Sequence, residues 1–237
     1  TNITLKQPER LVAIESAPGF LTIEQDNGNF QIEEPGPGRV MARASRIRVD
    51  AGDNARQTLE LSGYSTDLGW AGKDASLGWS IEFALFPDRP RIEMNVRLEW
   101  KGEASRIRLR IPTMLEDPEA VYEIPFGTVS RKRYAHRGTA RGEWPARRFV
   151  VLQGKANGLG VVNTGTHGAE TDGGTILSTL LRAPAVDFVG MKPDNTSSQH
   201  GTHEFRFAIV PFAGHWTEST VLQDAQELNS PLRLLRC

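Results

Sequence analysis

Three groups of residues in this chain have the types and spacings that chemistry needs: its histidines, its clustered carboxylates, and a run of arginines threaded with aromatics. The five histidines are His136, His167, His200, His203 and His215. A zinc site wants three or four N, S or O donors converging, from a helical i, i+4 pair or from one strand face. His200 and His203 stand three apart as the chain enters a strand, so alternation sends them to opposite faces. They read as a loop histidine followed by one fixed by strand packing, and no metal ligand is assigned. Retaining glycosidases need two carboxyl groups about 5–5.5 Å apart. The candidates here are Glu170 and Asp172, in a loop expected over Thr166 to Gly174, with Asp187 and Asp194 in the long connection after Pro184. All four lie among Gly, Thr, Asn and Pro, where acids make Asx turns or face water. No catalytic pair is therefore expected. There is no Gly-x-Ser-x-Gly elbow, and Cys237 is terminal, so an alcohol or thiol nucleophile has no anchor. Gly158-Leu-Gly160 runs on into Val-Val-Asn rather than into a helix with a third glycine, which makes it a strand entry and not a dinucleotide loop.

The basic run comprises Arg131, Lys132, Arg133, Arg137, Arg141, Arg147 and Arg148, interleaved with Tyr134, Trp144 and Phe149 and opposed by Glu143. Three readings fit it. The residues can form a solvated sheet face with snorkelling arginines, a sugar platform in which Tyr134 or Trp144 lies under a pyranose while Arg147 binds its hydroxyls, or a surface that stacks bases. The near-neutral balance of the whole chain, net −1, puts nucleic acid last and gives no pull toward acidic membranes.

The elements that must carry these residues announce themselves by period. From Arg91 to Trp100 the chain alternates strictly, with Ile92, Met94, Val96, Leu98 and Trp100 on one face. Ile107, Leu109 and Ile111 repeat the pattern against Arg106, Arg108 and Arg110, and Trp79, Ile81, Phe83 and Leu85 precede it. Turn residues at 87–90 and 101–103 separate them, which predicts three neighbouring antiparallel strands. Asp26-Asn27-Gly28-Asn29 predicts a two-residue type I′ hairpin that sets Ile23 opposite Ile32. Further strands are expected over 40–49, 57–61, 149–153, 159–162, 175–181 and 204–210, while Glu34-Pro-Gly-Pro-Gly38 reads as a breaker. One helix is expected, capped by Thr217, with Val221, Leu222, Ala225 and Leu228 on its apolar face and Asn229-Ser-Pro231 as its stop. Polar-out, apolar-in strands with short turns predict an all-β antiparallel sandwich rather than a parallel α/β sheet. The expectation is one domain over 1–237, with a subdivision near 117–121 as the alternative.

At 237 residues such a domain buries roughly 70–75% of its unfolded surface and needs no staples, in keeping with a single cysteine. No apolar run approaches the roughly 20 residues of a membrane span, and no charged-then-apolar leader is present. Both ends read as cleavage boundaries, and the expected location is cytoplasmic.

Four stretches occur in one order: Glu123-Ile-Pro-Phe-Gly127; Trp144-Pro-Ala-Arg-Arg-Phe149; Gly158-Leu-Gly-Val-Val-Asn163 leading to Leu180-Leu-Arg-Ala-Pro184; and Gly201-Thr-His-Glu-Phe-Arg-Phe207 leading to Pro211. Together they resemble the C-terminal all-β region of glycoside hydrolase family 38, the zinc-dependent retaining α-mannosidases. The likeness runs from about Tyr122 to Leu232 and is weaker over Asn95 to Pro112. It implies a galactose mutarotase-like supersandwich. It also implies that zinc, nucleophile and acid belong to an α/β domain absent from this chain, which is then the partner this region packs against. By position Arg182 falls where a rim arginine of the mannose pocket would be, with His167 and Asp172 as neighbours. Pro145-Ala-Arg-Arg-Phe149 departs from the family's usual aromatic-rich step. The main alternative is a free-standing carbohydrate- or partner-binding sandwich that uses the surface from Arg131 to Phe149.

Overall fold

Strands that alternate this strictly have to share an apolar layer, and a computed structural model covering residues 19–29, 31–50, 56–131, 143–186 and 198–230 shows two sheets doing so. The strands in chain order are β1 (Leu21–Asp26), β2 (Pro35–Ala42), β3 (Arg46–Asp50), β4 (Gln57–Ser65), β5 (Ser76–Leu85), β6 (Ile92–Lys101), β7 (Ser105–Pro112) and β8 (Glu119–Ile124). They continue with β9 (Gly127–Arg131), β10 (Trp144–Pro145), β11 (Phe149–Gln153), β12 (Asn157–Asn163), β13 (Gly168–Asp172), β14 (Thr175–Ala183) and β15 (Gly201–Ala213), and α1 (Val221–Asn229) follows. One sheet has the order β10-β13-β14-β7-β1-β2 and the other β3-β4-β5-β6-β15-β12-β11-β8-β9. Their pairings are antiparallel, and β6 with β15 and β7 with β14 join the two halves of the chain.

Between the sheets, Met94, Val96, Leu98 and Trp100 of β6 pack with Ile107, Leu109 and Ile111 of β7 and with Leu21, Ile23, Ile81 and Ile176. Each such fully buried aliphatic side chain contributes roughly 1.5–3 kcal/mol. The layer admits a polar link where Tyr122 donates its hydroxyl to Thr171 Oγ1 at 3.1 Å. A second apolar cluster lies on the outer face of the nine-stranded sheet, where Val121, Phe149, Val151, Val162, Ala208 and Val210 are roofed by Trp216, Val221, Ala225 and Leu228. Gly160 makes that contact possible, since a Cβ there would come within 2.6 Å of Val221.

Several expectations need correction. β5 and β6 are neighbours, but β7 crosses to the other sheet and pairs with β1 and β14; Gly102 and Ala104, at φ +156° and +49°, turn the chain between layers. The stretch 40–49 is likewise two strands, one in each sheet. The β1–β2 hairpin does not close at Asn27-Gly28, and Ile23 pairs with Val40 rather than Ile32. Asp26 Oδ1 accepts from the backbone of Gly28 and Glu34 at 2.9 and 3.0 Å, and the Asn27 amide donates to Glu34 O, so the ladder narrows past that dipeptide instead of reversing there. Pro35-Gly-Pro-Gly is strand, not breaker. It forms an edge, where proline costs no ladder bond, and Gly38 is needed because a Cβ would lie 2.5 Å from the Trp70 ring. The stretch read as a loop around Glu170 is β13. The helix begins at Val221, four residues after Thr217, and Leu222 is 45% exposed rather than on the buried face. Thr217 belongs to a preceding 3-10 turn, Trp216–Glu218, capped by His215.

Two arginines fasten α1 to the sheet beneath it. Arg91, buried before β6, donates to Asp224 Oδ1 at 2.6 Å, to Glu227 Oε2 at 2.9 Å and to Glu93 Oε1 at 2.8 Å. Burial opposes its charge, but the three carboxylates hold its pKa above the ordinary guanidinium value. Arg148 reaches Gln226 Oε1 at 2.9 Å from the other side. Breaking a buried pair strands the remaining charge. Arg91→Ala is therefore expected to cost about 3–5 kcal/mol in urea unfolding, against less than about 1 kcal/mol for the solvent-facing Arg97→Ala.

Candidate functional site

The outer face of the six-stranded sheet carries charge where the other sheet carries a helix. On β7, Arg106 and Arg108 point away from the apolar layer, yet they are only 5% and 6% exposed. Glu24 on β1 lies opposite Arg106 in register and binds both guanidinium groups. Its Oε2 accepts from Arg106 at 2.9 Å and its Oε1 from Arg108 at 2.8 Å. Arg108 reaches on to Glu170 Oε2 of β13, at 2.5 Å. Arg106 also pairs with Glu33, from the β1–β2 connection, and with Glu143 Oε2 at 3.3 Å. Arg182 of β14 donates through Nε to Asp26 Oδ2 at 2.5 Å and through a terminal nitrogen to Ile32 O at 2.9 Å. The result is a buried ladder of guanidinium and carboxylate groups across four strands.

Its electrostatics follow from these distances. Burial alone would raise the pKa of Glu24, but Arg108 and Arg106 outweigh it and hold the carboxyl below the usual range. Glu33 goes the other way. Burial raises it, Arg106 opposes, and the nearby carboxylates of Glu143 and Asp26 push it further up. Burial lowers the pKa of Arg108 less than Glu24 and Glu170 raise it, so its positive charge is secured.

A bulge aims Arg182 at this face. Thr179 pairs with Arg108 and Leu181 with Ile107, so Leu180 is an extra residue in β14. Both leucines turn inward and Arg182 turns outward beside Arg106. His167 precedes β13 and its Nδ1 lies 3.1 Å from the carbonyl of Arg147 and 3.3 Å from that of Ala146. Ala169 pairs with Ser178 and Asp172 with Thr175. Arg182 and His167 thus lie toward one end of the sandwich, and Asp172 lies at the other, roughly 17 Å from His167 at strand spacing. Asp172 is not brought together with the other two. Arg147 is exposed at the same end as His167. Trp144 pairs with Ala169, packs against the inter-sheet core and is covered on one ring face by Arg131, 4.4 Å from the centroid. Tyr134 lies outside the described residues.

His136, Asp187 and Asp194 lie outside the described residues. Among the described residues no group of three or more His, Cys, Asp or Glu side chains could hold an ion. His200 Nε2 lies 2.8 Å from Gly102 O and His203 Nε2 2.7 Å from Gln199 O.

Sequence reasoning missed Glu24, Glu33, Arg106 and Arg108. The signal was the alternation of three arginines on one strand; period two assigns a face but says nothing about whether it is covered.

Comparison with known proteins bears on this arrangement directly. Residues 53–194 match the family model described as the glycosyl hydrolases family 38 C-terminal domain. Alpha-mannosidase 2C1 of Mus musculus is 32% identical over 160 residues, 66% of this chain, and alpha-mannosidase of Saccharomyces cerevisiae is 26% identical over 139 residues. A glycosyl hydrolase family 38 protein from Enterococcus faecalis shares the fold with a TM-score of 0.75 at 13% identity, over 89% of this chain and 28% of its own. The chain belongs to the glycosyl hydrolase family 38 C-terminal domain family. It spans 14% of the length of the mouse relative.

The two buried glutamates should respond oppositely to acid. A lowered folded pKa means that the stability due to Glu24 is present above the unfolded value of about 4.3 and is lost as pH falls through the folded one. At neutral pH Glu24→Gln is expected to cost about 3 kcal/mol, with the deficit closing on acidification. Glu33, with a raised folded pKa, penalises stability as pH rises, so Glu33→Gln costs less at neutral pH and loses ground to the wild type as pH falls. Urea unfolding of the three proteins across the acid range measures both slopes.

Proposed function

We propose that this domain buttresses the catalytic part of an α-mannosidase-like glycoside hydrolase and lends Arg182 and His167 to the rim of its mannoside pocket. In this reading, zinc and the carboxylates that cleave the bond with retention belong to polypeptide outside this chain. The observation that carries the reading is the state of the acids on the outer face of the six-stranded sheet. Glu24, Glu143, Glu170 and Asp26 are each held by an arginine, so none has the freedom of a proton carrier or nucleophile. Arg182 differs from Arg106 and Arg108 in being only partly buried, with 23% of its side chain exposed. A guanidinium fixed by Asp26 and a backbone carbonyl is oriented before it meets a sugar hydroxyl, which limits the entropy lost on binding.

The second reading, a free-standing sugar-binding sandwich, has Trp144 and Arg147 at one end of the fold in its favour. Arg131 over the Trp144 ring weighs against it, since that ring face is already taken.

Titration of the 237-residue chain with mannose and mannobiose separates the two. A buttress gives no heat of binding and releases no nitrophenol from a nitrophenyl α-mannoside with zinc added, whereas a saturable isotherm overturns the proposal. In the intact polypeptide a chelator should abolish hydrolysis and leave the melting of this domain unchanged. Arg182→Ala should raise KM about tenfold, the loss of one hydrogen bond to a charged donor.

A further inference from the structure

The hairpin between β8 and β9 is the most exposed apolar point among the described residues. Ile124 pairs with Gly127, so Pro125 and Phe126 alone make the turn. Phe126 sits at φ +66° with its side chain 106% exposed. Proline followed by a residue of positive φ is the pattern of a type II turn, whose second position belongs to glycine or asparagine. A bulky residue there is an outlier. Glycine stands one place later, at Gly127, where a Cβ would meet nothing within 4 Å. The chain thus puts its aromatic ring where the backbone wants glycine, and its glycine where space is open. Phe126 gains no contact within the fold that would offset either its conformation or its hydration. Strained, over-determined backbone of this kind marks functional positions.

The turn is also held firmly. Glu123, immediately before it, is buried and accepts from the Arg148 backbone amide at 2.8 Å and from Arg148 Nε at 2.9 Å. The Glu123 carbonyl accepts from the Arg147 amide at 2.9 Å. Around the ring, Pro125, Arg147 and His167 are exposed, and the Arg147 guanidinium makes no ion pair among the described residues. What covers this end follows from length. The chain accounts for 14% of its mouse mannosidase relative and 28% of its structural neighbour, so most of such a polypeptide lies elsewhere.

We propose that the Pro125-Phe126 turn is a preformed plug that seats in an apolar socket on the remaining, catalytic part of the mannosidase polypeptide, with Arg147 at the socket's rim. The proposal rests on the buttress reading and adds the point of attachment. Its signature is a change of sign. Phe126→Gly and Phe126→Asn remove the strain and the ring together. In the 237-residue chain they should leave the melting temperature unchanged or raise it by a few degrees. In the intact polypeptide the same changes should lower the melting temperature and speed limited proteolysis between the parts by about tenfold or more, as for a hot-spot aromatic; Phe126→Leu should lie between. Amide exchange at 124–128 should be slower in the intact polypeptide than in the separate chain.

Equal responses of the two proteins to Phe126→Gly, or equal exchange at the turn, overturn the plug. A rise in KM with unchanged melting and proteolysis also overturns it and assigns the ring to substrate. If the intact wild type cleaves no α-mannoside, the catalytic reading fails while melting and exchange still decide the plug.

Discussion

The carboxylate of Glu24, hydrogen-bonded to one buried guanidinium through each oxygen, is what lets β7 be buried on both faces. With Arg106 and Arg108 both taken out of water, β7 cannot be left with two unanswered cations; an isolated buried charge costs far more than any single packing contact returns. Arg106 and Arg108 are tolerated because Glu24 on the adjacent strand and Glu170 two strands away answer them within hydrogen-bond distance. Charge pairing also fixes register. A one-residue slip of β1 against β7 would turn Glu24 into the apolar layer and leave both arginines unanswered.

The nine-stranded sheet solves the same problem with apolar surface. α1 lies over Phe149, Val151 and Val162, brought close by Gly160, and Arg91 and Arg148 pin it at two places. Arg148 binds the sheet residue Glu123 and the helix residue Gln226 at once. The ion pair therefore joins two of the ordered motifs of the sequence, Glu-Ile-Pro-Phe-Gly and Trp-Pro-Ala-Arg-Arg-Phe, in a common structural task. The spacing of those motifs along the chain reflects strand pairing, β8 to β11 to β12, more than chemistry.

Most of the layer structure was legible from period alone. β6 and β7 carry their apolar residues on the face that alternation assigns, and 149–153 is a strand at the predicted bounds. Strand partnership was less legible, because β6 and β7 are adjacent in sequence and share a period but belong to different sheets. A positive φ at Ala104 is a tertiary choice that no propensity announces. The β1–β2 turn failed for a related reason: Asp26 spends its side chain on the backbone of Gly28 and Glu34, which moves the reversal beyond the dipeptide that local rules favour. At the site, Arg182 and His167 could be singled out by motif position, whereas the acids and cations on β1 and β7 could not, since burial of a polar face depends on what folds over it.

The extra residue in β14 constrains how this domain can vary over time. Losing one of the two leucines between Thr179 and Arg182 would restore simple alternation and still leave Arg182 opposite Arg106 on the outer face, at the cost of one inward side chain. The bulge is therefore the one point of β14 that can shed a single residue without turning the guanidinium, whereas the regular ladder on either side keeps its facing only if its length changes in twos.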